Sequence, residues 1–426
     1  MHVFTWIFLA ALFSGTLLQL WLTARQARHV AAHRDQVPEP FREAIPLEDH
    51  RRAAAYTLAR LALERWQLLW DGLILLGWTL GGGLEALARL WDRVALPEPW
   101  HGAALVLLVV ILSDLLELPL QLRRIFGIEQ RFGFNRLTPL GFLRDKLLGG
   151  LLLLAIGLPL AAAMLWLMRE AGDRWWLWAW LLWVAFSLFV SWAWPVLIAP
   201  LFNRFEPLPD GPLKQRLEAL LRRTGFTSKG LYVMDGSRRS AHGNAYFTGL
   251  GQAKRIVFFD TLLEQLDDEQ LEAVLAHELG HFRLHHIRRM LWLQAALSLG
   301  ALALLGWLSA QPWFYQALGV SRPSPAMALI LFLLVSPVFG VFFSPLLAQL
   351  SRRHEFEADA FAARHSSARA LIAGLLRLYR DNASTLTPDP LYSAFHYSHP
   401  PASERIAHLQ ALEADAETPP AAAPVT

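Results

Sequence analysis

Seven apolar segments, each long enough to cross a lipid bilayer as a helix, constrain this chain more than any other feature. A transmembrane helix needs about 20 consecutive apolar residues. Hydrophobic residues are 54% of the chain and charged residues only 18%, which is typical of a polytopic membrane protein. We therefore predict a mainly α protein with about seven transmembrane helices. The segments are residues 3–22, 67–90, 102–121, 147–168, 175–199, 290–309 and 325–349.

Basic residues cluster in the loops on one side of these segments. The stretch 24–65 carries eight arginines, and the loop after the third segment carries five arginines and Lys146. Because cytosolic loops are enriched in Lys and Arg, the N-terminus is expected outside and the C-terminus in the cytosol. In a bacterium the protein would then lie in the inner membrane. The net charge of +3 is too small to indicate a nucleic-acid partner, and none is expected.

Four carboxylates fall inside the apolar segments: Asp71, Glu85, Asp114 and Glu117. A carboxylate is costly in lipid, so it usually faces the protein interior or a water-filled space. Two interpretations stay open, the wall of a hydrated chamber and helix-packing pairs with nearby arginines.

The sequence divides into three regions by composition. Residues 1–200 hold the first five segments and the charged loop, and the first segment lacks the cleavage signals of a signal peptide. Residues 201–412 have the texture of a globular domain, interrupted by a two-segment hairpin at about 288–349. Short β-type runs at 231–234, 244–248 and 255–259 predict a small antiparallel sheet. Residues 413–426 have an Ala/Pro bias that predicts a disordered tail.

The stretch 271–286, LEAVLAHELGHFRLHH, predicts a metal-binding helix. In a helix His277 and His281 lie one turn apart on one face, so both imidazoles reach one metal ion. Glu278 lies beside the metal, where its carboxylate can take a proton from water, as in H-E-x-x-H metalloproteases. Asp267 and Gln270 are spaced as a capping box that would begin this helix.

The chain must supply a third metal ligand from elsewhere. It contains no Cys, so the candidates are His, Asp and Glu. His285 and His286 are expected to be exposed or interfacial, because Leu284 occupies the place of the Gly in H-x-x-G-x-x-H. Better candidates follow the last apolar segment, where Glu355 and Asp359 are four apart on one helix face and Glu357 points away.

Several spaced motifs, in this order, resemble the membrane-embedded zinc-dependent CAAX prenyl endopeptidases. The resemblance covers roughly residues 50 to 412. The motifs are I-E-Q-R-F-G-F-N-R at 128–136, L-R-D at 143–145, H-G-N-A-Y-F-T-G at 242–249, H-E-L-G-H at 277–281, S-R-R-x-E-x-x-A-D at 351–359 and S-H-P-P-x-x-E-R-I at 398–406.

The resemblance implies a gluzincin-like protease domain that holds one Zn²⁺ per chain. His277, His281 and Glu355 would bind the zinc, and Glu278 would be the general base. Asp359 would orient a ligand imidazole, although an exchange of roles between Asp359 and Glu355 stays open.

The same resemblance implies three further roles around the zinc. His399 would steady the oxyanion of the tetrahedral intermediate, unless it only caps a turn. Asn244 and Ala245 would belong to an edge strand that pairs with an extended substrate, where the residues alone predict a short core strand. Arg405 would lie near the substrate, or form a salt bridge with Glu404 or another carboxylate.

We therefore predict a membrane zinc metalloendopeptidase with its active site on the cytosolic side. Its substrates would be peptides or proteins, with or without a lipid group, cleaved near the C-terminus. A quality-control protease of the heat-shock type is the alternative, and a non-enzymatic scaffold or transporter is a remote one.

Overall fold

The computed structural model describes residues 2–248 and 255–417, which are mostly helical. The helices are α1 (Val3–His33), α2 (Leu47–Trp78), α3 (Gly83–Trp91), α4 (Trp100–Leu122), α5 (Pro139–Leu152), α6 (Leu158–Glu170), α7 (Trp175–Ala193), α8 (Ala199–Phe202), α9 (Pro212–Arg223), α10 (Asp260–Gln265), α11 (Asp268–Arg283), α12 (His286–Ser309), α13 (Pro312–Ala317), α14 (Pro325–Gly340), α15 (Ser344–His365), α16 (Ala368–Asp381), α17 (Pro390–His396) and α18 (Ala402–Glu417). The strands are β1 (Phe205–Pro207), β2 (Leu231–Met234), β3 (Ala245–Thr248) and β4 (Arg255–Phe259).

Six helical stretches in the described residues are long and apolar enough to span a membrane, and a bent pair makes a possible seventh. This confirms the prediction of about seven spans. The bent pair is α2 with α3, which meet at an angle of 51°. The bend falls at a run of glycines, where Gly82 has a φ of 77° that other residues rarely adopt. The six are Val3–His33, Trp100–Glu129, Pro139–Glu170, Gly172–Phe202, His286–Ser309 and Pro325–His365.

The small sheet is mixed, so the predicted antiparallel sheet is wrong in one pairing. Its strand order is β1-β2-β4-β3, and β2 pairs with β4 in parallel. Strand β3 takes the position at the end of the sheet, and β4 then lies between β2 and β3. β4 is antiparallel to β3 and parallel to β2. The three β-type segments therefore all form strands, but not consecutive hairpins.

Two of the four carboxylates in the apolar segments form polar pairs. Asp114 on α4 accepts a hydrogen bond of 2.7 Å from Nζ of Lys146 on α5. Glu85 on α3 lies 3.1 Å from Arg89 and accepts a hydrogen bond of 2.6 Å from the hydroxyl of Ser321. The Asp114–Lys146 and Glu85–Ser321 contacts join separate segments, as the helix-packing interpretation expects, whereas Arg89 lies on the same helix as Glu85.

Separate hydrophobic clusters form among the spans and around the sheet. The cluster around the sheet includes Leu217 of α9, Phe258 of β4, Leu279 of α11, Phe361 of α15 and Leu371 of α16. It fixes α15, which continues from the last span, against α11. Toward the C-terminus, α18 extends to residue 417, and the rest of the predicted disordered tail lies outside the described residues.

Candidate metal and active site

Helix α11 presents the two motif histidines on one face. It begins at the predicted capping box, in which Asp267 accepts hydrogen bonds from the backbone N–H groups at 269 and 270 and the Gln270 side chain accepts from the Asp267 N–H. His277 and His281 follow one turn apart, and their Nε2 atoms lie 3.2 Å from each other. The i, i+4 spacing therefore brings both nitrogens to one point, as predicted.

Helix α15 supplies the third group because it approaches α11 backbone to backbone. Between the two histidines is Gly280, where a Cβ atom would lie only 2.9 Å from Cα of Ala358. This close contact lets the carboxylate of Glu355 reach both rings. Its two oxygens lie 3.5 Å from Nε2 of His277 and 3.3 Å from Nε2 of His281.

These three groups fit a tetrahedral metal site. Zinc bonds of about 2.0–2.2 Å in a tetrahedron place neighbouring ligand atoms roughly 3.4 Å apart. The two Nε2 atoms lie 3.2 Å from each other, and each lies 3.3 to 3.5 Å from one of the two Glu355 oxygens. His277 and Glu355 are buried. Oε2 of Glu355 receives no well-directed hydrogen bond, although Nδ1 of His399 lies 2.7 Å away. A buried oxygen left in this way is suited to a cation.

The Nδ1 side of the His277 ring contacts a buried ion pair. Its Nδ1 lies 2.8 Å from Oδ1 of Asp359, which Arg405 contacts at 2.5 and 2.9 Å. Burial would lower the pKa of His277, but hydrogen bonds to Asp359 and Glu355 outweigh it and raise the pKa to about 9. Asp359 thus contacts the side of the ring opposite to the Nε2 pair. A salt bridge is one of the two roles expected for Arg405, and its partners are Asp359 and, at 3.7 Å, Glu355, not Glu404.

The outward face of His281 contacts another histidine, His286, which the sequence placed at an exposed or interfacial position. That prediction holds for His285 but is wrong for His286, which is 3% exposed. Helix α11 ends at Arg283, and His285 adopts a left-handed φ of 61° before α12 begins. This turn directs His286 inward, where its Nδ1 lies 3.1 Å from Nδ1 of His281.

Of the two candidate catalytic residues, Glu278 and His399, only His399 lines the neighbouring cavity. Glu278 is half-buried on α11 beside His277. His399 follows α17, and its side chain is 65% exposed while its Nδ1 lies 2.7 Å from Glu355. In this structure His399 therefore contacts the third candidate ligand directly.

Asn244 and Ala245 lie at the start of the terminal strand of the described sheet. The carbonyl of Asn244 accepts a hydrogen bond from the Phe259 N–H on β4. Since alternate residues of a strand bond to opposite sides, the backbone of Ala245 faces away from the sheet. The N–H of Ala245 donates a hydrogen bond of 2.8 Å to the side-chain oxygen of Asn244. The outer edge of β3 at Ala245 can therefore pair with an extended peptide.

A cavity of about 820 Å³ connects this edge with the membrane helices. Arg60 and Glu64 of α2, Tyr392 of α17, Asn244 and His399 are among the residues that line it. The space is large enough for several residues of an extended peptide, and it reaches the His-His-Glu group through His399, which lies 2.7 Å from Glu355.

Membrane-spanning helices, a His-His-Glu group and an adjacent glutamate define a membrane metallopeptidase of the H-E-x-x-H class. Comparison with known proteins agrees. Residues 26–204 match the CAAX prenyl protease N-terminal domain with five membrane helices, and residues 207–413 match peptidase family M48. The chain belongs to the CAAX prenyl protease group of peptidase family M48. The predicted resemblance and the prediction of a membrane metalloendopeptidase are thereby confirmed.

The similarity extends over almost the whole chain. The CAAX prenyl protease 1 homologue of Oryza sativa is 35% identical, covering 94% of this chain and 96% of its own. The human CAAX prenyl protease 1 homologue is 31% identical, covering 96% of each chain. The crystal structure of S. mikatae Ste24p matches with a TM-score of 0.90 at 28% identity, over 96% of this chain and 99% of that one.

Proposed function

We propose that this protein is a zinc endopeptidase in which His277, His281 and Glu355 hold one Zn²⁺. The observation that carries the proposal is the convergence of two imidazole nitrogens and one carboxylate, with ligand atoms within 4.8 Å of one another, next to a cavity-lining residue, His399. Two imidazoles and one carboxylate, with no Cys in the chain, are a donor set typical of catalytic zinc. When bound, the zinc would polarise the scissile carbonyl and acidify the attacking water.

The side chains around the zinc would perform the proton transfers and hold the ligands. Glu278 takes the proton of the attacking water and passes it to the leaving amine. His399, exposed at the cavity, donates to the oxyanion of the tetrahedral intermediate once substrate is present. Asp359 fixes the ring of His277, and Arg405 neutralises Asp359. Arg405 therefore acts through Asp359, since it is only 6% exposed.

We propose that substrate lies in the cavity as an extended peptide. It would pair with the outer edge of β3 at Ala245 and with the side chain of Asn244. By analogy with the names of the relatives, the substrates would be prenylated proteins cleaved near the C-terminus. The distribution of Lys and Arg supports a site on the cytosolic side, which in a bacterium would be the cytosolic face of the inner membrane.

Glu278→Gln in the purified full-length protein tests this proposal. We expect the variant to keep one zinc per chain by elemental analysis and to lose about 10²- to 10⁴-fold in the rate of peptide cleavage, the usual contribution of a general base. His277→Ala and Glu355→Ala should lose both the metal and the activity. Glu264→Gln, an exposed glutamate on α10, is the matched control. Full peptidase activity of Glu278→Gln would refute the mechanism.

Substrate class is tested with one peptide in two forms. A peptide with a farnesylated cysteine near its C-terminus is compared with the same peptide without the lipid, and a misfolded membrane protein serves as the third substrate. We expect the lipidated peptide to have the highest kcat/KM. Cleavage of the misfolded protein alone would favour quality control instead.

A further inference from the structure

The two candidate ligand histidines have different partners on their outer faces. Both direct Nε2 toward the proposed metal position. The Nδ1 of His277 faces Asp359, a carboxylate of the kind that often orients a metal-binding imidazole. Within the described residues, Nδ1 of His281 faces no carboxylate and contacts Nδ1 of His286 at 3.1 Å. His286 in turn places its Nε2 2.9 Å from Oε2 of Glu357.

Only one arrangement of protons satisfies both contacts while His281 binds a metal through Nε2. Its proton must then be on Nδ1, which donates to Nδ1 of His286. His286 must carry its own proton on Nε2, which donates to Glu357. An ionised carboxylate only accepts hydrogen bonds, so Glu357 sets the direction of the whole series. Reversing the series would put the proton of His281 on Nε2 and prevent it from binding a metal.

The surroundings of His286 hold its ring in place. It is 3% exposed, and it stacks on the ring of His354 with centroids 4.1 Å apart and planes inclined by 11°. Glu357 is held from its other side, where Arg289 lies 3.6 Å from the same carboxylate oxygen. Because the ring of His286 is held in place, it also holds the ring of His281, with which it shares a hydrogen bond.

We infer that His286, together with Glu357, is a positioning residue that sets the tautomer and orientation of the metal-binding ring of His281. In this way the chain supplies each ligand histidine with a carboxylate, directly for His277 and through a second imidazole for His281. The inference rests on the proposed ligand set, and it predicts that His286 affects metal affinity without binding the metal.

Zinc affinity of the full-length protein in nanodiscs tests this role, measured by competition with a chelator of known affinity. We expect His286→Leu to raise the Kd for zinc about 10- to 100-fold, the usual cost of losing the partner of a ligand imidazole. His286→Asn keeps an acceptor near the position of Nδ1 and should recover most of the affinity. Glu357→Ala should weaken binding less than His286→Leu. His285→Asn, at the exposed neighbouring histidine, should leave the affinity unchanged, because Asn also adopts the left-handed φ of 61° found there.

Two further measurements separate positioning from general stability. The visible absorption of the Co²⁺-substituted protein reports ligand geometry, and it should differ between His286→Leu and wild type. The metal-free forms of both should melt at the same temperature. If metal-free His286→Leu melts earlier, Glu357→Ala decides, because Glu357 is 48% exposed and its removal leaves the helix packing intact.

Wild-type zinc affinity in His286→Leu would overturn the inference. So would wild-type affinity in Glu357→Ala where His286→Leu proves unstable. Failure of the proposed ligand set looks different, because then His281→Ala itself would bind zinc normally.

Discussion

The contact between α11 and α15 and the cavity beside it differ in how far their polar side chains are buried. At the contact, His277, Glu355, Asp359 and Arg405 are all buried and bound to one another. In the cavity, His399 and Arg60 are exposed over a space of about 820 Å³. The groups expected to hold the metal are thus fixed by packing, whereas the groups expected to meet substrate are exposed. Substitutions at the contact should therefore have larger effects than substitutions in the cavity.

Gly280→Ala should have the largest effect, because it separates the two helices. The new Cβ would lie 2.9 Å from Cα of Ala358, which is backbone and cannot rotate away. Glu355 would withdraw from the histidines, and a displacement of about 1 Å at a reacting group costs on the order of 10²-fold in rate. We expect at least that loss in kcat, with zinc bound substoichiometrically. Gly300→Ala on α12 is the control, because its Cβ would meet nothing within 4 Å. Equal activity of the two variants would contradict the importance of this contact.

Arg405→Met should destabilise the protein strongly, since buried Asp359 loses both hydrogen bonds from the guanidinium and keeps only His277 as a partner. Removing one member of a buried ion pair typically costs about 3–5 kcal/mol. The free energy of unfolding, followed by denaturant titration in detergent, measures this loss. Arg369→Met is the matched control, because the Arg369–Glu413 pair is exposed, with Arg369 80% accessible, and should contribute about 0–1 kcal/mol. A similar loss in both variants would remove the distinction between buried and exposed pairs.

The affinity for zinc should depend on pH because of the buried ring of His277. With its pKa raised to about 9, His277 in the metal-free protein keeps a proton that zinc must displace. The apparent zinc affinity should therefore increase about tenfold per pH unit between pH 6.5 and 9, one proton being released.

Stability of the metal-free protein should change in the other direction. Because the folded pKa lies above the ordinary value of 6.5, this group stabilises the fold fully below pH 6.5 and ceases to do so as pH rises through 9. Chelator-stripped protein should melt at lower temperature as the pH rises across this window. Zinc affinity that stays constant over the same range would show that His277 does not carry the proton.

Local patterns predicted much of this structure. The apolar segments, the capping box at Asp267 and the i, i+4 spacing of the histidines depend only on neighbouring residues, and each formed as predicted. Glu355 lies 74 residues beyond His281 in the chain. The residues alone gave Glu355 and Asp359 as candidate third ligands, and the resemblance to a known family chose Glu355.

The positions that could not be predicted depend on how distant segments meet. His286 lies five residues after His281, off the helix face, and only the left-handed turn at His285 returns it to that ring. The parallel pairing of β2 with β4 depends on β3 taking the outer position, which short strand patterns do not specify. The bend between α2 and α3 interrupts a segment that hydropathy alone makes continuous.

Asn244→Ala should have the smallest effect, and it tests the exposed side of the comparison. Its side chain is exposed and offers substrate one hydrogen-bonding group, worth about 0.5–1.5 kcal/mol, so KM should rise roughly 2- to 10-fold with kcat nearly unchanged. Steady-state kinetics on a short peptide separates the two constants. Thr57→Ala, on the α2 wall of the same cavity, is the control and should change neither. A large fall in kcat for Asn244→Ala would contradict this. It would mean that Asn244 takes part in the chemical step together with the residues of α11 and α15, because a residue that only binds substrate should change KM and not kcat.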